Sequence, residues 1–246
     1  MIIKTTELRT ALNSTKKFVW TDKHTKREPL DCVRFDVSDK LYIVSTDGYK
    51  LNKVTIDSVP SNMDSFNVST NIVFTILEDI KGVKGNVELS LDKDILTLTT
   101  DNNIYTYNVI LGVYPDYNKV INDLKDLSNT LTIDRKYLLN ILKENKNNVN
   151  KRTQLSIFEY YAQDCKFTFA DRENSIENIV SIDSDNYIGI ELKIGFNLKY
   201  LSLILSKLKS KEITIHFGNS VNQIQVVGND SKDKGYRFLI MPLRIQ

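Results

Sequence analysis

One design is written twice in this chain, and the doubling limits the folds open to it. Phe66-Asn67-Val68 in the first half and Phe196-Asn197-Leu198 in the second are extended triplets that lead straight into a helix. In Ile194–Ser210, Leu198, Leu201, Ile204, Leu205 and Leu208 recur at three- and four-residue steps, which places them on one side of a helix. Lys199, Ser202, Ser206 and Lys209 fall on the other side. Phe66–Gly82 repeats the plan with Ile72, Ile76 and Ile80. Two more helices pair in the same way. Thr6–Val19 sets Leu8, Leu12 and Val19 against Arg9, Asn13 and Lys16. Asp134–Lys146 sets Leu138, Ile141 and Leu142 against Lys136, Asn140 and Lys143. The chain reads as one domain plan used twice, each copy carrying two helices.

The rest of each half is short β-branched and aromatic runs. In the first half these are Cys32–Val37, Leu41–Ser45, Tyr49–Ile56, Val87–Leu91, Ile95–Thr100 and Ile104–Ile110, with Asp47-Gly48 as a hairpin signal. Thr5 or Thr6 is expected to cap the first helix and Asp134 the third. The second half adds strands at Gln154–Tyr160, Lys166–Asp171, Ile179–Ile182, Tyr187–Ile194, Glu212–Phe217, Gln223–Val227 and Tyr236–Met241. Each half thus reads β-α-β-β-β, twice. Many strands with few helices predict an α+β fold with mostly antiparallel sheets. Gly112–Asn122, with Pro115 in it, is expected to bridge two domains, 1–121 and 122–246.

Charge is polarised. The whole chain carries a net +2. Arg9, Lys16 and Lys17 outnumber Glu7 on the first helix, and Arg135, Lys136, Lys143 and Lys146 outnumber Asp134 and Glu144 on the third. Lys199, Lys207 and Lys209 stand unopposed on the fourth, while Glu78 and Asp79 outnumber Lys81 on the second. The helices together exceed the charge of the chain, so the remainder is acidic and a polyanion is the expected partner of the helices.

Composition excludes several classes. No apolar run approaches the ~20 residues a membrane-spanning helix needs. The N-terminus does not have the pattern of a signal peptide. Two cysteines, Cys32 and Cys165, make a disulfide framework improbable and point to a reducing, cytoplasmic setting. His24 and His216 lack metal-ligand spacing, so no metal is expected. With 9 glycines there is no phosphate-cradling loop, and no nucleophile elbow. Asp92 with Asp94, and Asp183 with Asp185, lie in expected turns, where aspartate serves the backbone. No cofactor and no catalytic residues are expected.

Four stretches then line up with one family. STDGYKLN at Ser45–Asn52, VYPDYNKV at Val113–Val120, GFNLKYL at Gly195–Leu201 and FLIMPLRI at Phe238–Ile245 resemble the bacterial DNA polymerase III beta subunit, the sliding clamp. They follow the order and near-spacing of its middle and C-terminal domains, and the resemblance covers essentially the whole chain.

The resemblance implies two DNA-clamp domains, each of two β-α-β-β-β units, with sheets outside and helices lining the channel of a ring. Double-stranded DNA would be met through phosphates, without sequence information, by Arg9, Asn13, Lys16, Lys136, Asn140, Lys143, Asn197, Lys199 and Tyr200. The second helix, with Asn71, Thr75 and Glu78, is expected to touch DNA least. The resemblance also implies a groove for short peptides of a DNA polymerase and a clamp loader. Its positions carry over as Leu30, Thr46, Gly48, Tyr49, Lys50, Leu51, Pro115, Lys119, Val120, Leu239, Ile240, Met241, Pro242, Leu243 and Arg244. Tyr49-Lys50 stands where the family commonly has His-Arg, and lysine lacks arginine's bidentate fork. The family's chain has three domains and closes a six-domain ring as a dimer. Two domains per chain make a homotrimer the expected ring, and a Lys-, Asn- and Ile-rich composition fits an AT-rich phage or plasmid genome. The alternative is a peptide-binding adaptor that competes for clamp-binding motifs and never encircles DNA.

Overall fold

In Met1–Pro115 the order is β1 (Ile2–Lys4), α1 (Thr5–Thr15), β2 (Cys32–Val37), β3 (Leu41–Thr46), β4 (Lys50–Ile56), β5 (Phe66–Ser69), α2 (Thr70–Asp79), β6 (Asn86–Asp92), β7 (Ile95–Thr99) and β8 (Ile104–Asn108). This is the expected β-α-β-β-β plan, twice. The computed structural model describes residues 1–246 apart from Lys23, His24, Lys26, Glu28, 58–62, 123–126, 220, 221, 246 and the side chain of Asn122. The isolated His24 therefore lies outside the described residues.

The strands form two antiparallel sets, β1-β6-β7-β8 and β5-β2-β3-β4. Alternation along β2 and β5 sends Phe35 and Phe66 into the core, where the rings stack at 4.8 Å. A side chain of this size contributes about 1.5–3 kcal/mol when fully buried. Leu8, Ala11 and Leu12 bring α1 onto β3 and β4, and Val73, Ile76 and Leu77 bury α2 beside it. Two buried polar bonds fix the α1 end: Ser45 Oγ donates to the Thr15 carbonyl at 2.7 Å, and Asn52 Nδ2 to Ser14 Oγ at 2.7 Å. The cap of α1 differs from expectation. Lys4 occupies the cap position without a side-chain bond, because Thr5 gives both its N–H and its hydroxyl to the Gly85 carbonyl at 3.0 Å. Ser69 caps α2 through Ile72 N–H.

The chain divides after Pro115, earlier than the expected boundary after residue 121. Within the expected bridge, Tyr117–Asn122 is a short helix, α3, at the start of the second unit. There follow β9 (Asn129–Asp134), α4 (Arg135–Glu144), β10 (Leu155–Tyr161), β11 (Asp164–Asp171), β12 (Ile176–Ile182), β13 (Tyr187–Ile188), β14 (Leu192–Asn197), α5 (Leu198–Lys207), β15 (Glu212–Phe217), β16 (Ile224–Gly228) and β17 (Tyr236–Ile240). The expected strand at Tyr187–Ile194 is broken into β13 and β14. Gly189 turns the chain between them at φ +152°, with Asn129 Oδ1 occupying the space where a Cβ would stand.

Antiparallel sets β12-β11-β10-β14 and β13-β9-β15-β16-β17 enclose an aromatic core with α4 and α5. Phe158 stacks on Phe217 at 4.9 Å, and Phe167 meets Phe196 edge-on at 6.0 Å. Asp134 caps α4 as expected, accepting from Tyr137 N–H at 2.8 Å. Cys32 and Cys165 are buried and free. Burial, with Asp164 and Asp183 nearby, pushes the Cys165 thiol up to about 12, so it holds no thiolate at neutral pH. No helix among the described residues is long and apolar enough to cross a membrane.

Candidate functional site

Once each helix has buried its apolar side, what remains is decided by spacing. On α4, Leu138, Ile141 and Leu142 are buried while Lys136, Asn140 and Lys143 are exposed, as the seven-residue stripe requires. Lys199 is exposed on α5, which packs beside α4. Asn197 serves the fold, because it caps α5. Its side chain accepts from Lys199 and Tyr200 N–H groups at 3.0 and 3.2 Å and donates to the Thr153 carbonyl at 3.2 Å. Tyr200 is half-buried. Arg135, counted with the basic helix by its position, is committed elsewhere. Its guanidinium donates to the Ser210 and Leu205 carbonyls at 2.8 and 3.1 Å, at the C-terminal end of α5 where a cation is favoured.

The α1 stripe is half-buried and braced. Asn13 Nδ2 donates to the Arg9 carbonyl at 2.9 Å, and Lys16 Nζ to Asn13 Oδ1 at 2.8 Å. Arg9 Nε is buried with no hydrogen-bond partner among the described residues. Sequence reasoning missed Phe74. It stands 51% exposed on the side of α2 that carries Asn71, Thr75 and Glu78, with Lys16 Nζ 4.8 Å above its ring centroid. The signal was present, since Phe74 breaks the apolar spacing of its helix, and an aromatic off-stripe needs a partner.

The other set of candidate residues falls on both units. In the first, the hairpin after β3 turns at Gly48, φ +88°. Thr46 Oγ1 accepts from Gly48 N–H and donates to the Lys50 carbonyl, while Tyr114 hydroxyl accepts from Thr46 N–H at 3.2 Å. Lys50 is buried and ion-paired with Asp47, whose carboxylate also accepts from Tyr49 and Lys50 N–H groups at 2.9 Å. Its ammonium is thus a fold element, while Tyr49, at 46% exposure, is what the hairpin shows to solvent. Leu51 is buried, Leu30 half-buried and Pro115 exposed.

In the second unit, Lys119 and Val120 are exposed on α3; Lys119 pairs with Asp116 at 3.6 Å, and Gln223 Nε2 holds the Val120 carbonyl at 2.8 Å. Leu239 and Ile240 are fully buried in β17 against β16, so their side chains belong to the core. Met241, at 37% exposure, begins the accessible segment, followed by half-buried Pro242 and Leu243 and exposed Arg244. Leu243 N–H bonds to the Gly195 carbonyl at 2.8 Å, which seats the segment along β14. Among the described residues there is no cluster of three or more His, Cys, Asp or Glu able to hold a metal ion.

Comparison with known proteins agrees with this architecture. A family profile described as the DNA polymerase III beta subunit, C-terminal domain, matches residues 125–244. The beta sliding clamp of Buchnera aphidicola is 25% identical over 234 residues, covering 90% of this chain and 60% of the relative. That of Streptococcus pneumoniae is 26% identical over 255 residues, covering 99% of this chain and 64% of the relative. Among solved structures, the DnaN sliding clamp of Pseudomonas aeruginosa superposes with a TM-score of 0.87 at 20% identity, covering 100% of this chain and 65% of that one. The DNA polymerase sliding clamp of Bacillus subtilis gives 0.87 at 19%, covering 100% and 64%. The chain thus spans about 60–65% of the length of these proteins. With residues 125–244 matched by that profile and both units carrying the sliding-clamp fold, the chain is similar to the DNA polymerase III beta subunit.

Proposed function

We propose that this chain is a non-enzymatic processivity factor, acting in the cytoplasm, that encircles duplex DNA and tethers a DNA polymerase. The observation that carries the proposal is the set of basic helix sides. Lys136, Lys143 and Lys199 are exposed and have no ion-pair partner among the described residues, on helices whose other sides are buried. Single lysines on long arms give loose phosphate contacts that permit movement along the duplex. Arg9, Asn13 and Lys16 join them from α1, and Asn140 and Tyr200 from the second unit. Asn197 contributes by holding the start of α5.

A polymerase or clamp-loader peptide is bound by Tyr49 and the hairpin around Gly48, by Pro115, Lys119 and Val120, and by Met241–Arg244. Met241 supplies an adaptable apolar wall for a leucine or phenylalanine. Changing Met241→Ala together with Leu243→Ala weakens a polymerase-derived peptide while leaving the assembly intact; unchanged affinity contradicts this part.

Three copies of the 246-residue chain close a six-unit ring. The support is in the sheet edges. The β5 edge is covered by a bridge to Ile110, and the β14 edge by Leu243. Apolar edges not covered in this way include β8 in the first unit, with Ile104 71% exposed, and β12 in the second, with Ile179 51% exposed. Exposed apolar edges without lysine invite strand pairing, and a head-to-tail contact between unlike edges closes as a cycle. Light scattering then gives about 85 kDa, three times the 28.3 kDa of one chain. Ile104→Lys or Ile179→Lys reduces it to single copies, and a wild-type mass of 28 kDa at high concentration contradicts the ring.

A further inference from the structure

The face of the β12-β11-β10-β14 sheet that points away from the core is divided in two. Phe158, Phe167 and Phe169 enter the core, and their neighbours in β10 and β11 take the opposite face. One half of that face is ordinary surface, with Glu159 paired to Lys193 at 3.2 Å and Lys166 to Asp164 at 3.4 Å. On the other half, β10 and β11 contribute no charge: the floor they form is Leu155, Ile157, Thr168 and Ala170.

That floor lies in a groove of about 670 Å³, within the range of ligand-binding clefts. One wall is the C-terminal segment. It lies so close that a Cβ on Gly195 would meet the Leu243 carbonyl oxygen at 2.5 Å and Ile245 Cγ1 at 3.2 Å. The other wall is the β11–β12 turn, which Ser175 reverses at φ +53°. Arg152, Arg172 and Arg244 line the groove without an ion-pair partner among the described residues. Glu173 and Glu177 line it too.

We propose that this groove is a second docking site, which holds a short segment of a partner protein. Its apolar side chains lie on the Leu155–Ile157–Thr168–Ala170 floor and a carboxylate meets the arginines. Charge and apolarity together choose this occupant: three arginines over two glutamates accept one or two carboxylates, whereas the apolar floor between them offers a run of phosphates neither counter-charge nor hydrogen bonds. Strand pairing is not the mode, because the floor strands β10 and β11 have neighbours on both sides, so recognition is by side chains. Only Leu243 and Arg244 are shared with the residues assigned to the polymerase peptide, and the site does not depend on that assignment.

The test is a phage-displayed random peptide library panned on the 246-residue chain after depletion on the Thr168→Arg variant, whose side chain would fill the groove. Recovered peptides should combine large apolar residues with aspartate or glutamate. Arg152→Glu with Arg172→Glu, both exposed positions, should weaken them by about tenfold or more, and Met241→Ala should leave them unchanged. The proposal is overturned if no peptide distinguishes the wild type from Thr168→Arg. It is also overturned if the recovered peptides are lost with Met241→Ala and kept by the arginine double variant. A change in the mass of the assembly with Thr168→Arg would place this face between copies and overturn it as well.

Discussion

Lys16 and Phe74 join the two helices of the first unit: the ammonium of one stands 4.8 Å above the ring of the other. Burial lowers the Lys16 pKa, with Lys17 adding to it and Glu78 opposing. The α1 stripe is therefore held in place before any partner arrives. Phe74→Ala should free the Lys16 side chain to move, as followed by NMR relaxation at its Cε. At a site this exposed the stability cost should be no more than about 1 kcal/mol. Relaxation unchanged by the substitution contradicts the brace.

The α4 stripe makes a sharper prediction. If Lys136 and Lys143 each neutralise one phosphate, Lys136→Ala with Lys143→Ala should flatten the plot of log affinity against log salt by about 1.8, roughly 0.9 per contact. Fluorescence anisotropy with a short duplex of any sequence measures this. Lys166→Ala, on the other side of the unit's sheets and paired with Asp164, should leave the slope alone. Equal effects at the two places would remove α4 from the DNA surface.

Much of the architecture is legible in the sequence because it is local. The 3.6-residue stripes of α4 and α5, the Asp134 cap and the Asp47-Gly48 turn need only neighbours within a few residues. What escaped depends on distant partners. Thr5 fails as a cap because Gly85, 80 residues on, takes its hydroxyl. Arg135 looks like one more basic residue until the end of α5 closes on it. Lys50 carries over by position as a groove residue, yet the turn folds Asp47 back over it and buries both. Leu239 and Ile240 look like groove walls by position, but pairing with β16 commits them to the core.

The Asp47–Lys50 pair gives a stability prediction. Both side chains are under a tenth exposed, so removing one partner strands a buried charge. Lys50→Met should cost about 3 kcal/mol in urea unfolding. The change should fall on the first unit's transition. A loss under about half a kcal/mol would mean that the pair is not buried in solution.

His216 sets a pH dependence. Burial on β15 lowers its pKa below the ordinary value of 6.5. The unfolded chain then takes up the proton first as pH falls. The stability tied to the neutral ring is present above about 6.5 and is lost as pH drops through the folded pKa. His216→Gln should lose less Tm between pH 7.5 and pH 5 than the wild type does. Identical losses contradict a half-buried His216 held neutral.

The proposed hold on DNA is enclosure as opposed to adhesion, and one measurement addresses it directly. The chain is placed on nicked circular duplex with a clamp loader and ATP, then washed at a salt concentration that breaks phosphate contacts. Retention on the circle, with release when a restriction enzyme linearises it, is the predicted result. Equal loss from circular and linear DNA under that wash would contradict the ring.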